Sequence, residues 1–461
     1  MIQTVFDNGT LVWSGGEIAE LVAAVPGLFK FDSRINGFRS RACDYAAILQ
    51  QIRAMQLELE DNAALFEPLK ELALQETLIP RSHQQTAFEA WRQNSYRGVA
   101  ALPTGSGKTI LAVLAIARLQ RPTLVLVPTI DLLAQWTQVL EELLNMPVSM
   151  LGGGSHEVGE ITVSTYDSAV LNMEFIGNRF AFLIADECHH LPGPETRLAA
   201  AMCIAPFRLG LSATPEMETE RSAALAELMG DTVCDIGITE LTGCVLAPYR
   251  TCRIPITLTP EEQTEYNRCR GIYTNFLRAH NINFSRPGAW GEFIIACSRY
   301  PGGKAALQAF AAQRKIARNS RQKFTVLAEI LHRHSGERII IFTADNETAY
   351  QIGRTFVLPV LTHHTKAAER KAFLQNFRNG NYPVLVTSKV LNEGVDVPDA
   401  AVGVVLSGSG SVREHVQRLG RILRSAPGKE QAVLYELVSV NTSEESTSDR
   451  RREHNAYRRR S

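Results

Sequence analysis

The chain has 461 residues, of which 45% are hydrophobic and 21% are charged, as is typical of soluble folded proteins. This length exceeds what one compact core usually holds, and it favours about three domains. The 48 lysines and arginines balance the 48 aspartates and glutamates, which excludes a protein that binds nucleic acid through a globally basic surface. Any such surface must be local.

The spacing of the cysteines and the length of the apolar runs indicate the cellular compartment of the protein. The eight cysteines include no CxxC pair, so the sequence predicts neither a zinc site nor a disulfide framework and favours a reducing compartment. No apolar run approaches the ~20 residues that cross a membrane, and the first residues lack a basic-then-apolar secretion signal. We therefore expect a cytoplasmic protein with no membrane contact, associated with the nucleoid in a prokaryote.

The first half of the chain divides into a small unit and a larger one. Residues 1–65 have mixed patterning and are predicted to form a separate N-terminal domain. Residues 66–245 begin with a connector and then alternate short apolar runs with helical patterns. The predicted strands are residues 98–102, 123–127, 161–164, 182–185 and 208–212. This alternation indicates a parallel sheet wrapped by helices, and continuous apolar strands indicate burial on both faces.

A glycine-rich turn follows the first of these strands and precedes a helical pattern. It reads Leu102-Pro103-Thr104-Gly105-Ser106-Gly107-Lys108-Thr109. Glycines let the backbone curl around an anion, and the helix start adds its positive end, which predicts a cradle for the phosphates of ATP. Lys108 is expected to reach the β and γ phosphates, and the Thr109 hydroxyl to hold Mg²⁺. The strict sequence pattern of a phosphate-binding loop begins with glycine, whereas this chain has Leu102 at that position.

Two acidic residues, Asp186 and Glu187, follow the strand predicted at 182–185. Ligands of open α/β sheets bind at the carboxyl ends of the strands. Asp186 is therefore expected to ligate the Mg²⁺ of the nucleotide, and Glu187 to act as the general base on the attacking water. Upstream of the glycine-rich turn, the Gln84 amide can both donate to and accept from adenine. Gln84 and the neighbouring Arg81 are thus candidate nucleotide-binding residues.

A second α/β series occupies residues 321–445. Its predicted strands are residues 338–342, 383–387, 402–406 and 432–437. Two such lobes in one chain suggest a cleft in which a ligand bridges both. Residues 246–320 read as a linker and a helical insertion. The last segment, 446–461, is a basic tail that is either solvated or binds phosphate.

Three further motifs of the second lobe carry chemistry. Asp396 follows a strand-like run and could accept a hydrogen bond from ribose or from an arginine, or be a plain turn carboxylate. Arg421 and Arg424 lie three residues apart, on neighbouring turns of one predicted helix. A guanidinium group can bind the charge that is distributed over the oxygens of a phosphate. We therefore interpret these two residues as arginine fingers rather than as part of a solvated basic helix face. Gln417, in the same motif, is a further candidate catalytic residue.

The order of these motifs resembles that of superfamily-two helicases and translocases of the DExH type. The matching segments are Gln84, Thr104-Gly105-Ser106-Gly107-Lys108-Thr109, Pro128-Thr129, Ser164-Thr165-Tyr166, Asp186-Glu187-Cys188-His189, Ser212-Ala213-Thr214, Glu393-Gly394-Val395-Asp396 and Gln417-x-x-Gly420-Arg421-x-x-Arg424. Within this order Thr129, Thr165 and Thr387 are candidate contacts to the nucleic-acid backbone, because hydroxyls hold phosphates without reading sequence.

Other segments are similar to the XPB helicases of archaeal type over nearly the whole chain. They are Lys30-Phe31-Asp32-Ser33-Arg34, Ser164-Thr165-Tyr166-Asp167-Ser168-Ala169, Asp186-Glu187-Cys188-His189-His190-Leu191-Pro192, Ala205-Pro206-Phe207-Arg208-Leu209-Gly210-Leu211 and Ser407-Gly408-Ser409-Gly410-Ser411. The resemblance implies an α/β fold of two RecA-like parallel-sheet lobes, with a small N-terminal damage-recognition-like domain and a helical thumb-like insertion that grips DNA.

The resemblance also implies a function. It is that of an ATP- and Mg²⁺-dependent DNA helicase or translocase, moving 3′ to 5′ on duplex and single-stranded DNA in nucleotide excision repair, often with a separate nuclease partner. One departure concerns strand separation, because Met217-Glu218-Thr219 stands where the family has an Arg-Glu-Asp loop associated with duplex opening. Two alternatives stay open. One is an RNA-dependent DExH ATPase, because the local motifs hardly separate DNA from RNA. The other, which the changed loop favours, is an ATP-gated damage clamp that recruits a nuclease without unwinding.

Overall fold

The structure is a computed structural model, and it describes residues 1–69, 72, 78–213, 219–242, 247–286, 288–388, 400–407 and 431–452. The chain divides into two compact units, of which the first spans Met1–Glu240 and the second begins at Leu241. Within the described ranges, none of the helices combines the length and the apolarity that crossing a membrane requires. Every cysteine within those ranges is a free thiol.

The first unit begins with a small domain built on a five-stranded sheet. Its elements are β1 (Ile2–Asp7), β2 (Thr10–Gly15), α1 (Ile18–Ala24), β3 (Lys30–Asp32), β4 (Gly37–Arg41), α2 (Tyr45–Ala54) and β5 (Leu59–Asn62). The strand order is β3-β4-β2-β1-β5, with β5 parallel to β1 and the other pairs antiparallel. Trp13 lies fully buried in the core, where its indole donates a hydrogen bond of 2.8 Å to the Ser40 hydroxyl.

The rest of the first unit is a parallel α/β lobe. Its elements are α3 (Ser82–Gln93), β6 (Arg97–Ala101), α4 (Lys108–Leu119), β7 (Thr123–Val127), α5 (Ile130–Leu144), β8 (Ser149–Gly152), β9 (Ser155–His156), β10 (Ile161–Thr165), α6 (Tyr166–Ile176), β11 (Phe182–Asp186), α7 (Leu198–Ala201), β12 (Phe207–Ser212), α8 (Thr219–Met229), β13 (Thr232–Asp235) and α9 (Ile238–Leu241). The strand order is β13-β6-β12-β11-β7-β10-β8-β9, and only β9 runs antiparallel to its neighbour.

The sheet of this lobe is buried on both faces, as the continuous apolar strands predict. Every residue of β7 and of β11 is buried. Two separate apolar cores cover the two faces, one around Trp91 and Ile116 and the other around Met173 and Phe180. The predicted parallel sheet is therefore confirmed, and strands β8, β9 and β13 are present in addition to those expected.

The small domain is docked on this lobe through backbone and side-chain contacts. The Asn178 side-chain amide donates to the Ala63 carbonyl at 2.9 Å, and the Leu65 amide donates to the Asn178 carbonyl at 3.0 Å. Ile204 of the lobe is fully enclosed in the apolar core of the small domain. Arg41 forms an ion pair with Glu227 on α8. The N-terminal domain and the lobe thus form one packed body.

The second unit combines helices with a six-stranded parallel sheet. Its elements are β14 (Tyr249–Ile256), α10 (Pro260–Ala279), α11 (Ala289–Arg299), α12 (Gly303–Arg318), α13 (Arg321–Arg333), β15 (Ile339–Phe342), α14 (Asn346–Phe356), β16 (Val360–Leu361), α15 (Ala367–Arg378), β17 (Val384–Thr387), β18 (Val402–Val405), β19 (Ala432–Ser439) and α16 (Ser443–Arg452). The strand order is β14-β19-β18-β15-β17-β16. The sequence predicts the four central strands but neither edge strand.

The predicted helical insertion consists of α10, α11 and α12. Helix α10 begins with a capping box, because the Thr259 hydroxyl accepts from the Glu262 amide at 3.2 Å while the Glu262 carboxylate accepts from the Thr259 amide at 3.0 Å. Pro260 occupies the first turn, where no amide donor is needed. Gly288, with φ +79°, precedes α11. These local signals place the helix starts where the sequence indicates a helical segment.

A fully buried arginine, Arg208, connects the ends of two helices in the first unit. Its guanidinium donates to the carbonyls of Ala200, Cys203, Ala205 and Leu228 at 2.6–3.1 Å. Two of these carbonyls lie in the last turns of α7 and α8, where the helix dipole favours a cation. The Arg208 side chain is thus held by hydrogen bonds to the backbone carbonyls that surround it.

Replacing Arg208 should destabilise the first unit strongly. Arg208→Met keeps apolar volume but leaves four buried carbonyls without this donor, so the free energy of unfolding should fall by about 3 kcal/mol or more. Urea denaturation of the full chain, followed by far-UV circular dichroism, measures the change. Arg118→Met is the matched control, because Arg118 is exposed on α4. An unchanged urea midpoint for Arg208→Met would contradict this role.

Candidate nucleotide-hydrolysis site

The glycine-rich turn links β6 to α4 at the carboxyl edge of the first sheet. Gly105 and Gly107 both have φ +86°, a left-handed conformation that glycine adopts without strain. Lys108 is the first residue of α4, and Thr109 follows it in the first turn. The turn therefore ends at a helix start, which is the arrangement that binds phosphate.

Helix α3 holds this turn through Gln84. The Gln84 side-chain amide donates to the carbonyls of Ser106 at 3.1 Å and Gly107 at 3.2 Å, and its oxygen accepts from the Arg81 amide at 2.9 Å. A Cβ on Gly107 would lie 2.4 Å from the Gln84 nitrogen, so this contact requires glycine. Both ends of the Gln84 side-chain amide thus have protein partners. Contact between Gln84 and adenine stays a prediction, and it requires that adenine replace these partners.

His83 is a residue of the site that the sequence reasoning missed. The ring is buried, and its Nε2 lies 2.8 Å from the Ser106 carbonyl, to which it must donate. Gln84 and His83 thus hold the same carbonyl from adjacent positions of one helix. The only available signal was the position of His83 beside Gln84, which alone does not distinguish a packed histidine from one that supports the turn.

The acidic pair lies at the end of β11, as predicted. Asp186 and Glu187 are 6% and 9% exposed. The Lys108 ammonium lies 3.5 Å from a Glu187 carboxylate oxygen. Glu187 adopts φ +47°, which is uncommon for a non-glycine residue. The structure therefore brings together Lys108 and the two carboxylates that the sequence assigns to the same reaction.

Two further side chains, Trp136 and Tyr166, fix Asp186. The Trp136 indole donates to one carboxylate oxygen of Asp186 at 2.8 Å, and the Glu187 amide donates to the other at 3.0 Å. The Tyr166 hydroxyl donates to the Asp186 carbonyl at 2.8 Å. Both aromatic residues are distant from Asp186 in sequence, so nothing in the local pattern indicates their role.

The electrostatics of the pair follow from burial. Burial, and then the neighbouring Glu187 carboxylate, raise the pKa of Asp186 to about 6, against the opposing effects of Lys108 and the Trp136 hydrogen bond. A carboxylate and a hydroxyl are ligands that Mg²⁺ prefers, and Mg²⁺ bound with a nucleotide needs only one or two protein ligands. Asp186 and Thr109 fit that requirement, whereas within the described ranges no cluster of three His, Cys, Asp or Glu side chains could hold a metal alone.

The three candidate backbone-binding threonines lie in different settings. The Thr129 hydroxyl caps α5 by accepting from the Leu132 amide at 3.3 Å, and the Thr165 hydroxyl caps α6 by accepting from the Ser168 amide at 3.2 Å. Thr387 is fully buried, and its hydroxyl donates to the Ser388 carbonyl at 3.0 Å. Thr129 and Thr165 therefore stand at helix starts, which suit phosphate, whereas the hydroxyl of Thr387 is enclosed.

Several predicted site residues lie outside the described residues. They are Asp396, Gln417, Arg421 and Arg424, together with Thr214, Met217 and Glu218 of the first lobe. Of the Ser407–Ser411 segment only Ser407 is described, and its hydroxyl accepts from the Ala344 amide at 3.0 Å.

Family comparisons cover most of the chain. Residues 5–63 match the Xeroderma pigmentosum group B helicase damage recognition domain, residues 77–217 the type III restriction enzyme res subunit, and residues 322–426 the helicase conserved C-terminal domain. The DNA 3′-5′ translocase XPB2 of Sulfurisphaera tokodaii is 36% identical, over 94% of this chain and 97% of that protein. The chain belongs to the XPB family of helicases. The family predicted from the motifs is thereby confirmed.

A more distant relative and two solved structures are also similar to this chain. The DNA 3′-5′ helicase XPB of Mycobacterium tuberculosis is 28% identical over 78% of this chain and 60% of its own length. The Hef helicase domain of Pyrococcus furiosus superposes with a TM-score of 0.52 at 19% identity, covering 82% of this chain and 99% of that one. Dbp5 of S. cerevisiae, bound to RNA and ADP BeF3, superposes with a TM-score of 0.57 at 16% identity, covering 89% and 91%. These structures confirm the fold of two RecA-like lobes.

Removing the Trp136 hydrogen bond should change the pH profile of hydrolysis. The bond favours the charged form of Asp186, so Trp136→Phe should raise the pKa of that carboxyl further and move the acid limb of kcat/KM for ATP to higher pH. We expect roughly a threefold or greater loss at pH 6 and near recovery above pH 8. Thr137→Val is the control, because the Thr137 hydroxyl donates to Leu133 instead. An equal loss of kcat/KM at every pH would contradict this prediction and would indicate general damage to the protein.

Proposed function

We propose that this protein is an ATP-driven DNA translocase that moves 3′ to 5′ and opens DNA in nucleotide excision repair. The observation that carries this proposal is the joint presence of the Lys108–Glu187 contact at a phosphate-binding turn and the 36% identity to a DNA 3′-5′ translocase. The match of residues 5–63 to a damage recognition domain favours a repair role.

The described residues divide the hydrolytic work. Lys108 binds the β and γ phosphates, while Thr109 and Asp186 hold Mg²⁺, which screens the phosphate charge when bound. When Lys108 turns to the phosphates, Glu187 loses a cationic neighbour and becomes the acceptor for a proton of the attacking water. His83 and Gln84 hold the backbone of the turn, so that its amides face the phosphates.

Residues outside the described ranges complete the proposed site. Arg421 and Arg424 act as arginine fingers on the γ-phosphate, with Gln417 beside them, because their motif matches the family order and guanidinium groups offset phosphate charge. Asp396 accepts from the ribose or from one of these arginines. Their spacing in the sequence and the match of residues 322–426 to a helicase domain support these roles.

The nucleic-acid contacts follow from the helix caps. Thr129 and Thr165 contact the phosphate backbone of duplex or single-stranded DNA, and Thr387 does so after its hydroxyl is released. Because Met217-Glu218-Thr219 replaces the family loop associated with opening, translocation on duplex DNA is the main activity. The chain works in the cytoplasm, at the nucleoid, with a nuclease as partner for incision.

The ATPase rate with different nucleic acids tests this function. DNA should stimulate hydrolysis well above RNA, with Lys108→Ala as the blank, because the proposed motor couples hydrolysis to a DNA backbone. The rate is measured without nucleic acid and with single-stranded DNA, duplex DNA or RNA at fixed salt. Equal or greater stimulation by RNA would replace the proposal with an RNA-dependent ATPase. Lesion-selective binding without any stimulation would favour the damage clamp.

The role of Glu187 has a test of its own. Glu187→Gln should retain binding of Mg²⁺ and ATP but slow hydrolysis by roughly 10² to 10⁴, because the amide cannot accept the proton of the attacking water. Single-turnover hydrolysis and binding of a fluorescent ATP analogue separate the two effects. Glu174→Gln is the control, because Glu174 is exposed on α6. Brisk turnover by Glu187→Gln would exclude the general-base assignment.

A further inference from the structure

A lysine of the second unit, Lys323, is fully buried in the first turn of α13. Its ammonium donates to the Leu406 carbonyl at 2.8 Å and to a Glu444 carboxylate oxygen at 2.6 Å. Burying two charges costs free energy that apolar side chains of similar volume avoid, and a cation is disfavoured at the start of a helix. A gain in stability alone therefore does not account for this pair.

The carbonyl that Lys323 holds lies at the carboxyl end of β18, in the middle of the sheet. Leu406, the residue after β18, also donates its amide to the Phe342 carbonyl at 3.0 Å. The hydroxyl of the next residue, Ser407, accepts from the Ala344 amide at 3.0 Å. Two successive residues are thus fixed where the chain leaves the sheet, at the edge where ligands of parallel sheets bind.

The chain that leaves β18 leads to the motif Gln417-x-x-Gly420-Arg421-x-x-Arg424. This motif lies outside the described ranges, and its role on the γ-phosphate is part of the proposed function. An arginine assists phosphoryl transfer only when it is aligned with the transferred group, and a displacement of about 1 Å can lower the rate by roughly 10²-fold. Contacts that fix the end of β18 therefore also fix the point from which this motif extends.

Glu444 is itself held by the backbone at the start of α16. The Glu444 carboxylate oxygen that binds Lys323 also accepts from the Ser439 amide at 3.2 Å, and the Glu444 amide donates to the Thr442 hydroxyl at 3.1 Å. The Ser439 hydroxyl, at the end of β19, donates to the Ala317 carbonyl in the last turn of α12 at 2.6 Å. The carboxylate is thus oriented toward Lys323 by contacts from two neighbouring elements.

We propose that Lys323 and Glu444 are positioning residues for ATP hydrolysis. They hold the end of β18 so that the segment bearing Arg421 and Arg424 meets the γ-phosphate in the correct alignment. Both act through the Leu406 carbonyl and not by contact with the nucleotide. This inference rests on the proposed role of the two arginines, and it assigns a function to a buried pair that the motifs of the sequence do not include.

Substitution of both charges tests this role in the full chain. Lys323→Met with Glu444→Gln removes the ammonium without leaving a lone buried charge, and the glutamine keeps an oxygen for the Ser439 amide. We expect kcat for ATP hydrolysis to fall by roughly 10- to 100-fold while KM for ATP changes less than about twofold. Single-turnover hydrolysis shows whether the chemical step is the one affected.

A matched control separates the end of β18 from the attachment of α16. Arg253 on β14 pairs with Asp449 on α16 at 2.7 Å, so this pair also fastens α16, but to β14 rather than to β18. Arg253→Met should therefore change kcat less than about twofold, as is usual when a partly exposed ion pair is removed. A loss of kcat as large as that of the paired variant would overturn the inference, because attachment of α16 alone would then explain it.

Combination with the arginine variants distinguishes a positioning role from a structural one. Arg421→Ala with Arg424→Ala should lower kcat by roughly 10³ or more. Adding Lys323→Met and Glu444→Gln to that background should cost less than about threefold further, because residues that act as a unit have effects that do not add. A further loss as large as in the wild-type background would overturn the inference.

The remaining outcomes separate this inference from the proposed function. Wild-type kcat in the Lys323→Met/Glu444→Gln variant, beside a large loss in the arginine variant, would overturn the inference alone and leave the arginine fingers in place. Wild-type kcat in the arginine variant would remove the fingers and the inference with them. If circular dichroism shows that the paired variant is unfolded, Glu444→Gln alone is measured, and wild-type kcat in that variant would also overturn the inference.

Discussion

The contact between Lys108 and the buried acidic pair is the constraint on which the rest of the first unit depends. Two adjacent carboxylates at 6% and 9% exposure disfavour each other's charge, and the Lys108 ammonium, 3.5 Å from Glu187, opposes that effect. Buried groups that perturb one another's charge in this way cluster at functional sites, and these three are the groups that the proposed hydrolysis uses. The indole of Trp136 and the backbone amide of Glu187 then fix the orientation of Asp186.

The topology of the sheet brings the groups of this contact together. Strands β6 and β11 are separated only by β12, and all three run parallel, so the ends of β6 and β11 come to the same edge. Helix α3 then fixes the turn after β6 through Gln84 and His83. Arg208, on β12, donates to backbone carbonyls of residues 200–205 and of Leu228 on α8. The same sheet therefore carries the candidate site at its carboxyl edge and the Arg208 hydrogen bonds near the amino end of β12.

Local patterns in the sequence were sufficient for the central strands of both parallel sheets and for the position of the glycine-rich turn. Strands β7 and β11 contain the expected apolar runs, and the two described glycines of the turn have positive φ, which suits a phosphate-binding turn. Edge strand β14 was not predicted, because it contains two arginines, Arg250 and Arg253, and lacks a continuous apolar run. Trp136 and His83 were missed for a different reason, since their roles depend on contacts between distant segments.

The N-terminal domain packs directly on the lobe that carries the glycine-rich turn. Hydrogen bonds between Asn178 and the 63–65 segment, and the enclosure of Ile204 in the small core, join this domain to the lobe that carries Lys108. Asn178 and Ile204 lie next to α6 and β12, whose other ends meet the acidic pair. Within the described ranges, the small domain is therefore in packed contact with the elements whose far ends meet Asp186.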